Sequence, residues 1–109
     1  MKMYVENIEN ERGNRIANQF VITEGNRRYF QSYSSMIVCY DYDTKMLFVY
    51  RDYDYSNTTR KHENEFFRYY LDMPEITVKK LRELERSGER HITLNNGVVI
   101  TVYFEKENI

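Results

Sequence analysis

Hydrophobic and polar residues alternate along the first half of the chain with the period of two that is typical of β-strands. The alternation predicts a short edge strand at residues 3–8, followed by strands at residues 15–23, 28–33, 35–42 and 46–52. The segment 35–42 is apolar on both faces in its middle, as expected of a central strand. The first half is therefore predicted to form an antiparallel meander.

The period of the hydrophobic pattern changes to about 3.6 after Ser56, which predicts an amphipathic helix. The residues on its apolar stripe are Thr59, His62, Glu63, Phe66, Phe67, Tyr70 and Leu71. Pro74 ends this helix, because the residue before a proline disfavours helical geometry. Thr77 is a suitable N-cap for a second, shorter helix that ends at Gly88. Its inward-facing residues are expected to be Val78, Leu81 and Leu84.

The C-terminal segment is predicted to form a hairpin, because Asn96-Gly97 lies between two β-rich runs and favours a type I′ turn. Its second strand carries Val98, Ile100, Val102 and Phe104 on one face. The sequence as a whole predicts an α+β fold. An antiparallel sheet of about five to six strands, a meander plus a C-terminal hairpin, packs against two α-helices. The chain is expected to form a single domain over residues 1–109.

Charge and hydropathy exclude several classes of protein. Sixteen basic and seventeen acidic residues give a net charge of −1, so a polyanion binder would need local basic patches. No segment has the roughly 18–20 apolar residues of a membrane helix, and the polar residues 1–14 lack the apolar core of a signal peptide. The sequence therefore predicts a cytoplasmic protein without a membrane partner. The single Cys39 lies in an apolar run and is expected to be a buried, reduced thiol.

A calcium-binding loop is the most specific metal-site hypothesis for residues 52–63. The residues at positions 1, 3, 5, 7 and 12 of an EF-hand would be Asp52, Asp54, Ser56, Thr58 and Glu63. However, Asn57 occupies the position that requires glycine, and the preceding segment resembles a strand rather than a helix. We therefore predict no metal site here. Ser56, or an adjacent Asn or Thr, is instead expected to cap the start of the helix.

Catalytic chemistry is not indicated by the residues present. His62 and His91 could serve as an acid and base pair, as in an RNA-cleaving site. His62, however, lies on the apolar stripe of its helix, which favours a packed structural role. The sequence contains no nucleophile elbow and no Gly-rich phosphate loop. A non-enzymatic protein without a cofactor is predicted.

Tyrosine and arginine are the residues that suggest binding. Aromatic residues make up 16% of the chain, and eleven of them are tyrosines. Arginine beside an aromatic residue can neutralise phosphate while the ring stacks on a base. The same two residue types supply the hot spots of protein interfaces. Acidic neighbours such as Glu63, Glu65 and Asp72 dilute the basic field. A protein partner is therefore favoured over nucleic acid.

Three segments carry a resemblance to a known group of proteins: "NQFVI" at 18–22, "YFQSYSSMI" at 29–37 and "YDYSNTTRKH" at 53–62. They resemble a family of short, mostly uncharacterised proteins encoded by phages and integrated elements of Gram-positive bacteria. In that family N-Q-F, Y-F-Q-S-Y and Y-S-x-T-T-x-K-H occur in this order. The resemblance implies a mobile-element accessory protein that acts inside a bacterial host cell. Such proteins often block a host defence nuclease, including CRISPR effectors, by stoichiometric binding.

The predicted function is therefore the binding and inhibition of a host protein, with a defence nuclease as the specific candidate. The alternative is a small nucleic-acid-binding module. The residues expected to contact the partner are Arg28, Tyr53, Tyr55, Arg60 and Arg68, because the apolar stripe does not explain them. The shared motifs also have a structural interpretation. In that interpretation they hold the hairpin and the strand-to-helix junction together.

Overall fold

A computed structural model describes residues 2–105 as one seven-stranded sheet with two α-helices, which confirms the predicted α+β fold. The strands are β1 (Met3–Glu9), β2 (Arg15–Glu24), β3 (Arg27–Ser32), β4 (Ser35–Asp41), β5 (Met46–Val49), β6 (His91–Thr93) and β7 (Val99–Phe104). The helices are α1 (Asn57–Glu65), which continues into a π-helical turn (Phe66–Tyr70), and α2 (Val78–Ser87). No helix within residues 2–105 is long and apolar enough to span a bilayer.

The strand order across the sheet is β1-β2-β3-β4-β5-β7-β6, so the first five strands form the predicted meander with β4 at the centre. The count of about five to six strands was too low. The sheet is also not purely antiparallel, because β5 and β7 pair in parallel. Both helices lie between these two strands in the chain, and such a crossover allows parallel pairing.

The turn between β6 and β7 differs from the predicted type I′ geometry. Type I′ requires a positive φ at both central residues. Here Gly97 has a φ of 88°, whereas Asn96 is not among the residues with positive φ. The Gly97 N–H donates to the Leu94 carbonyl at 2.9 Å, and the Leu94 N–H donates to the Val98 carbonyl at 2.8 Å. The loop is therefore one residue longer than a two-residue turn, with Gly97 in the left-handed position.

The helices cover the face of β3 that carries Arg28, Phe30 and Ser32. The rings of Phe30 and Phe66 stack with their centroids 5.7 Å apart. Arg28 donates a hydrogen bond to the Tyr70 carbonyl, and Ser32 contacts Thr59 of α1. The predicted apolar stripe of α1 faces this core, since Thr59, Glu63, Phe66, Phe67 and their stripe neighbours are buried or half-buried.

The second helix begins and ends where the sequence predicts. The Thr77 side chain accepts a hydrogen bond from the Lys80 N–H, and Gly88 takes the left-handed conformation with a φ of 85°. Its inward residues Val78, Leu81 and Leu84 are all buried. The Cys39 thiol is buried as well, in β4 on the opposite face of the sheet from Val38. Burial raises the pKa of this thiol, as expected for a packed cysteine.

Candidate functional site

The first helix begins at a cap that joins two hydroxyl groups. The Ser56 Oγ accepts a hydrogen bond from the Thr59 N–H at 3.1 Å, and the Ser56 hydroxyl donates to Thr59 Oγ1 at 3.1 Å. The Ser56 backbone is extended, with a φ of −148° and a ψ of 163°, as an N-cap requires. This geometry confirms the prediction that residues 50–70 form a strand-to-helix junction with a hydroxyl cap.

The three sequence segments that carry the family resemblance meet at this junction. Gln19 of the first segment is the register partner of Ser32 in the second. The Ser32 Oγ lies 3.5 Å from Thr59 Oγ1 of the third. All three side chains are buried, so the three segments meet in the interior of the protein. The structural interpretation of the motifs therefore has a physical basis, because strand pairing joins the first segment to the second and the Ser32–Thr59 contact joins the second to the helix.

A cavity of about 320 Å³ opens beside these contacts, between the β3–β4 turn and the start of α1. Its lining residues are Ser32, Tyr33, Ser35, Ile37, Asp52, Tyr55, Ser56 and Thr59. Four of these carry aliphatic hydroxyls, which both donate and accept hydrogen bonds. We call this space the junction cavity.

Two exposed tyrosines belong to the junction cavity. Tyr33 is 61% exposed and Tyr55 is 78% exposed. Tyr33 has a φ of 54°, a left-handed conformation that is uncommon for a bulky residue and costs about 1–3 kcal/mol. A hydrogen bond from the Tyr33 N–H to the Asn18 carbonyl, 2.6 Å long, holds it there. The fold thus holds an aromatic side chain at the surface in a strained backbone conformation.

Tyr53 was predicted to contact a partner from the surface, but the fold buries it. Its side chain is only 1% exposed. The Tyr53 hydroxyl donates to Glu85 Oε1 of α2 at 2.6 Å, and its ring lies 5.8 Å from that of Phe104. Burial and the Glu85 carboxylate raise the pKa of Tyr53 well above its ordinary value. The turn that follows β5 directs this residue into the core, which periodicity could not show.

Arg28 is also a structural residue rather than a member of an exposed face. It is half-buried between β3 and the π-helical turn. Its Nη1 donates to the Tyr70 carbonyl oxygen at 2.5 Å. A π-helical turn leaves carbonyl groups poorly matched to the α-helical pattern, so a donor from the sheet stabilises this end of the helix. Arg28 was predicted to contact the partner, and the structure gives its Nη1 a role inside the fold as well.

The other three predicted residues reach the surface, but they do not form one cluster. Tyr55 and Arg60 lie at the start of α1, and Arg68 lies in the π-helical turn, roughly 12 Å further along the helix axis than Arg60. Arg60 is held by Asp54, with Nη1 3.0 Å from Oδ1. The Arg68 guanidinium lies 5.7 Å from the centre of the Tyr69 ring. Only Tyr55 lines the junction cavity.

Tyr33 and Asp52 of the junction cavity were missed as candidate site residues. Tyr33 lies within the motif at 29–37, but its exposure follows from a positive φ that the residue type does not indicate. Asp52 was considered only as a calcium ligand. The signal that could have found Tyr33 is the concentration of hydroxyl residues in two segments that line the cavity, "SYSS" at 32–35 and "YSNTT" at 55–59.

The carboxylates of the calcium-loop reading lie in different surroundings. Asp52 lines the junction cavity, Asp54 pairs with Arg60 and Arg82, and Glu63 is fully buried. Within residues 2–105, no group of three or more His, Cys, Asp or Glu side chains could hold a metal ion.

Each of the two histidines lies within hydrogen-bonding distance of a glutamate that is close to it in the sequence. The His62 Nδ1 is 2.6 Å from Glu65 Oε1 on the buried side of α1. The His91 Nδ1 is 3.1 Å from Glu89 Oε1 at the exposed start of β6. Hydrogen bonds from the His91 side chain and from the backbone N–H groups of Arg90 and His91 lower the pKa of the Glu89 carboxyl group. Neither histidine lines the junction cavity.

Comparison with known protein families matches residues 3–84, from β1 into α2, to DUF8033, a family of unknown function. The chain belongs to this family. The match includes every residue of the junction cavity, whereas β6 and β7 lie beyond it. No curated protein and no solved structure matches the chain. Membership of DUF8033 therefore assigns no activity to the chain.

Proposed function

We propose that this DUF8033 protein acts by binding a protein partner and blocking it, and that the partner is a bacterial defence nuclease such as a CRISPR effector. The observation that carries the proposal is the pair of exposed tyrosines, Tyr33 and Tyr55, beside a polar cavity. The phage and mobile-element resemblance supports the setting, a bacterial host cell. Occlusion by binding requires no cofactor and no catalytic residue.

Exposed tyrosine suits a protein interface for physical reasons. The ring supplies a large apolar area, and only two side-chain torsions must be ordered on binding. The hydroxyl group keeps a polar contact when the ring is buried. Tyr33 and Tyr55 are also anchored on backbone that the fold holds, by the Asn18 hydrogen bond and by a hydrogen bond from the Tyr55 N–H to the Asp52 carbonyl. A preformed surface of this kind loses little conformational entropy in a complex.

Substitution of both tyrosines tests the proposal. We expect Tyr33→Asn with Tyr55→Ala to weaken partner binding by about 1–4 kcal/mol and to abolish phage protection against an active CRISPR system. Asparagine is chosen at position 33 because it tolerates the left-handed conformation. The melting temperature should change little, since both side chains are exposed. Survival of phage on cells that express each variant is the measurement.

Tyr4→Ala is the matched control, because Tyr4 is 62% exposed on β1 and does not line the junction cavity. It should protect phage as well as the wild type does. Full protection by the double variant would contradict the assigned surface. Failure of the wild type to protect against any defence system would contradict the function itself.

The nucleic-acid alternative is favoured by one feature, the sheet face opposite the helices. Register places a row of mostly apolar residues across six strands on this face: Val5, Ile22, Tyr29, Cys39, Phe48 and Tyr103. The Arg27 guanidinium lies 5.5 Å from the centre of the Phe48 ring. Aromatic rings on an open sheet can stack on unpaired bases. Arg27, however, is already paired with Asp41 at 3.0 Å, which reduces its charge toward phosphate.

Salt dependence separates the two functions. Phosphate contacts release counterions, so nucleic-acid binding weakens steeply as salt rises. We expect affinity for labelled RNA and single-stranded DNA to be weaker than micromolar at ~150 mM salt. Submicromolar affinity that Tyr103→Ala removes would support the alternative and contradict the protein-binding proposal.

A further inference from the structure

From the charge and shape of the junction cavity we infer that it receives a cationic side chain, arginine or lysine, presented by the partner protein. The inference rests on the proposed protein-binding function and specifies the chemistry of the contact. Asp52 is the one charged residue among the eight that line the cavity. The cavity therefore has the opposite sign to a guanidinium or ammonium group.

The Asp52 carboxylate is available for such a contact. Two other aspartates of this region are engaged, Asp41 with Arg27 and Asp54 with Arg60 and Arg82. Within residues 2–105, the Asp52 side chain forms no hydrogen bond or ion pair, and only its backbone carbonyl accepts one, from the Tyr55 N–H. A half-buried carboxylate without a cation is a favourable site for a charge-assisted hydrogen bond.

The tyrosine rings and the hydroxyl groups complete a site for a cation. A guanidinium or ammonium group within about 6 Å of the centre of an aromatic ring is attracted to the ring face. Tyr33 and Tyr55 provide two such faces among the lining residues. The hydroxyl oxygens of Ser35 and Ser32 can accept the remaining N–H groups of the cation. The volume of about 320 Å³ is at the small end of ligand pockets, which span about 300–1,000 Å³, and suits a single side chain.

The start of α1 is the one feature that would attract an anion instead. A helix N-terminus carries roughly half a positive charge. The full negative charge of Asp52 outweighs it, and the Ser56 side chain already satisfies the Thr59 N–H. Two other cavities of the described chain lack this one-sided charge. One contains Lys79, Arg82 and Arg86 with acidic residues, and the other contains Lys61 and Arg68 with acidic residues.

A cationic ligand also fits the class of partner proposed. Nucleases bind the phosphate backbone with lysine and arginine side chains. An acidic, tyrosine-flanked cavity that takes one of these side chains would occupy a group that the nuclease needs for its own substrate. Occlusion would then follow from one specific contact rather than from size alone.

The test is a titration of the full-length ¹⁵N-labelled protein, followed by amide chemical shifts. The probes are a capped Gly-Arg-Gly peptide, its lysine and glutamate counterparts, and inorganic phosphate. We expect saturable shifts at residues 32–35 and 52–59 with the arginine or lysine peptide and none with the glutamate peptide. Asp52→Asn should raise the dissociation constant at least fivefold.

Asp72→Asn is the matched control, because it removes the same charge from an exposed position with a φ of 57°, where asparagine is tolerated. It should leave the dissociation constant unchanged. If Asp52→Asn fails to fold, Tyr55→Ala should weaken arginine-peptide binding instead. Equal affinity in the two aspartate variants, or shifts with phosphate and none with the basic peptides, would overturn the inference.

The outcomes for the cavity and for the function are separable. Phage protection by a protein that binds no basic peptide would refute the cationic site and leave the proposed function intact. Peptide binding by a protein that gives no protection would refute the function and leave the site.

Discussion

Replacing Phe66 by alanine is expected to lower the free energy of unfolding by about 3–5 kcal/mol. Phe66 is fully buried and packs against three other aromatic rings. The centre of its ring lies 5.7 Å from that of Phe30, 5.9 Å from that of Phe67 and 6.5 Å from that of Tyr70. Truncation would remove apolar contacts between the sheet and the π-helical turn and leave a cavity there. Because small domains are stable by only about 5–15 kcal/mol, the loss should be evident in urea unfolding.

The control for this substitution is Tyr69→Ala, in the same π-helical turn. Tyr69 is 69% exposed, so its loss should change stability by no more than about 0.5 kcal/mol. A loss below about 1 kcal/mol for Phe66→Ala would contradict the packing of this turn against β3.

Replacing Glu63 by methionine is expected to raise the free energy of unfolding at pH 7.5 by about 1–3 kcal/mol, the usual penalty for an unsatisfied buried polar group. Glu63 lies on the side of α1 that faces the protein core and has no exposed surface. Neither of its carboxylate oxygens has a hydrogen-bond partner within residues 2–105. Methionine keeps the length of the side chain and favours the helix.

The pH dependence follows from the direction of the pKa shift. Burial raises the pKa of the Glu63 carboxyl well above its ordinary value of 4.5, and the Asp54 carboxylate raises it further, whereas Arg60 lowers it. The unfolded chain therefore loses this proton near pH 4.5, while the folded chain retains it to higher pH. Stability consequently falls as the pH rises above 4.5 toward the raised pKa. The advantage of Glu63→Met should shrink as the pH falls from the raised pKa toward 4.5, and it should not change further below 4.5.

Denaturant unfolding between pH 4 and pH 8 measures this difference. Glu83→Gln, at an exposed position on α2, controls for the loss of one negative charge and should follow the wild-type profile. An equal decline of stability with pH in Glu63→Met and the wild type would assign the dependence to other groups.

Local patterns were sufficient for most of the secondary structure. The stripe from Thr59 to Leu71 and the caps at Ser56 and Thr77 were predicted correctly. Each depends on contacts between residues three or four apart, which the order of residues contains. The Asn96-Gly97 turn was placed correctly but its geometry was not. The type of a turn depends on the φ angles of its central residues, and an asparagine such as Asn96 can adopt a positive or a negative φ.

The exposure of individual tyrosine and arginine side chains was predicted less well. Tyr53 and Arg28 looked like surface residues because they lie off the apolar stripe. Their contacts are with Glu85 of α2 and with the Tyr70 carbonyl, at separations of 32 and 42 residues. Tyrosine and arginine have both apolar and polar parts, so the pattern of hydrophobic and polar residues does not show whether they are buried or exposed. It therefore cannot show whether such a side chain forms a hydrogen bond inside the protein.

The sequence by itself determined the α+β class, the five-strand meander, the two helices and their caps, because these follow from alternation and short-range hydrogen bonding. Tertiary structure alone decided the parallel pairing of β5 with β7 and the assembly of the junction cavity. The cavity joins Tyr33 to Asp52 and Tyr55 across β4 and β5, and the burial of Glu63 depends on the sheet beneath α1. These contacts join residues that are far apart in the chain. Local sequence preferences do not determine which distant residues come together.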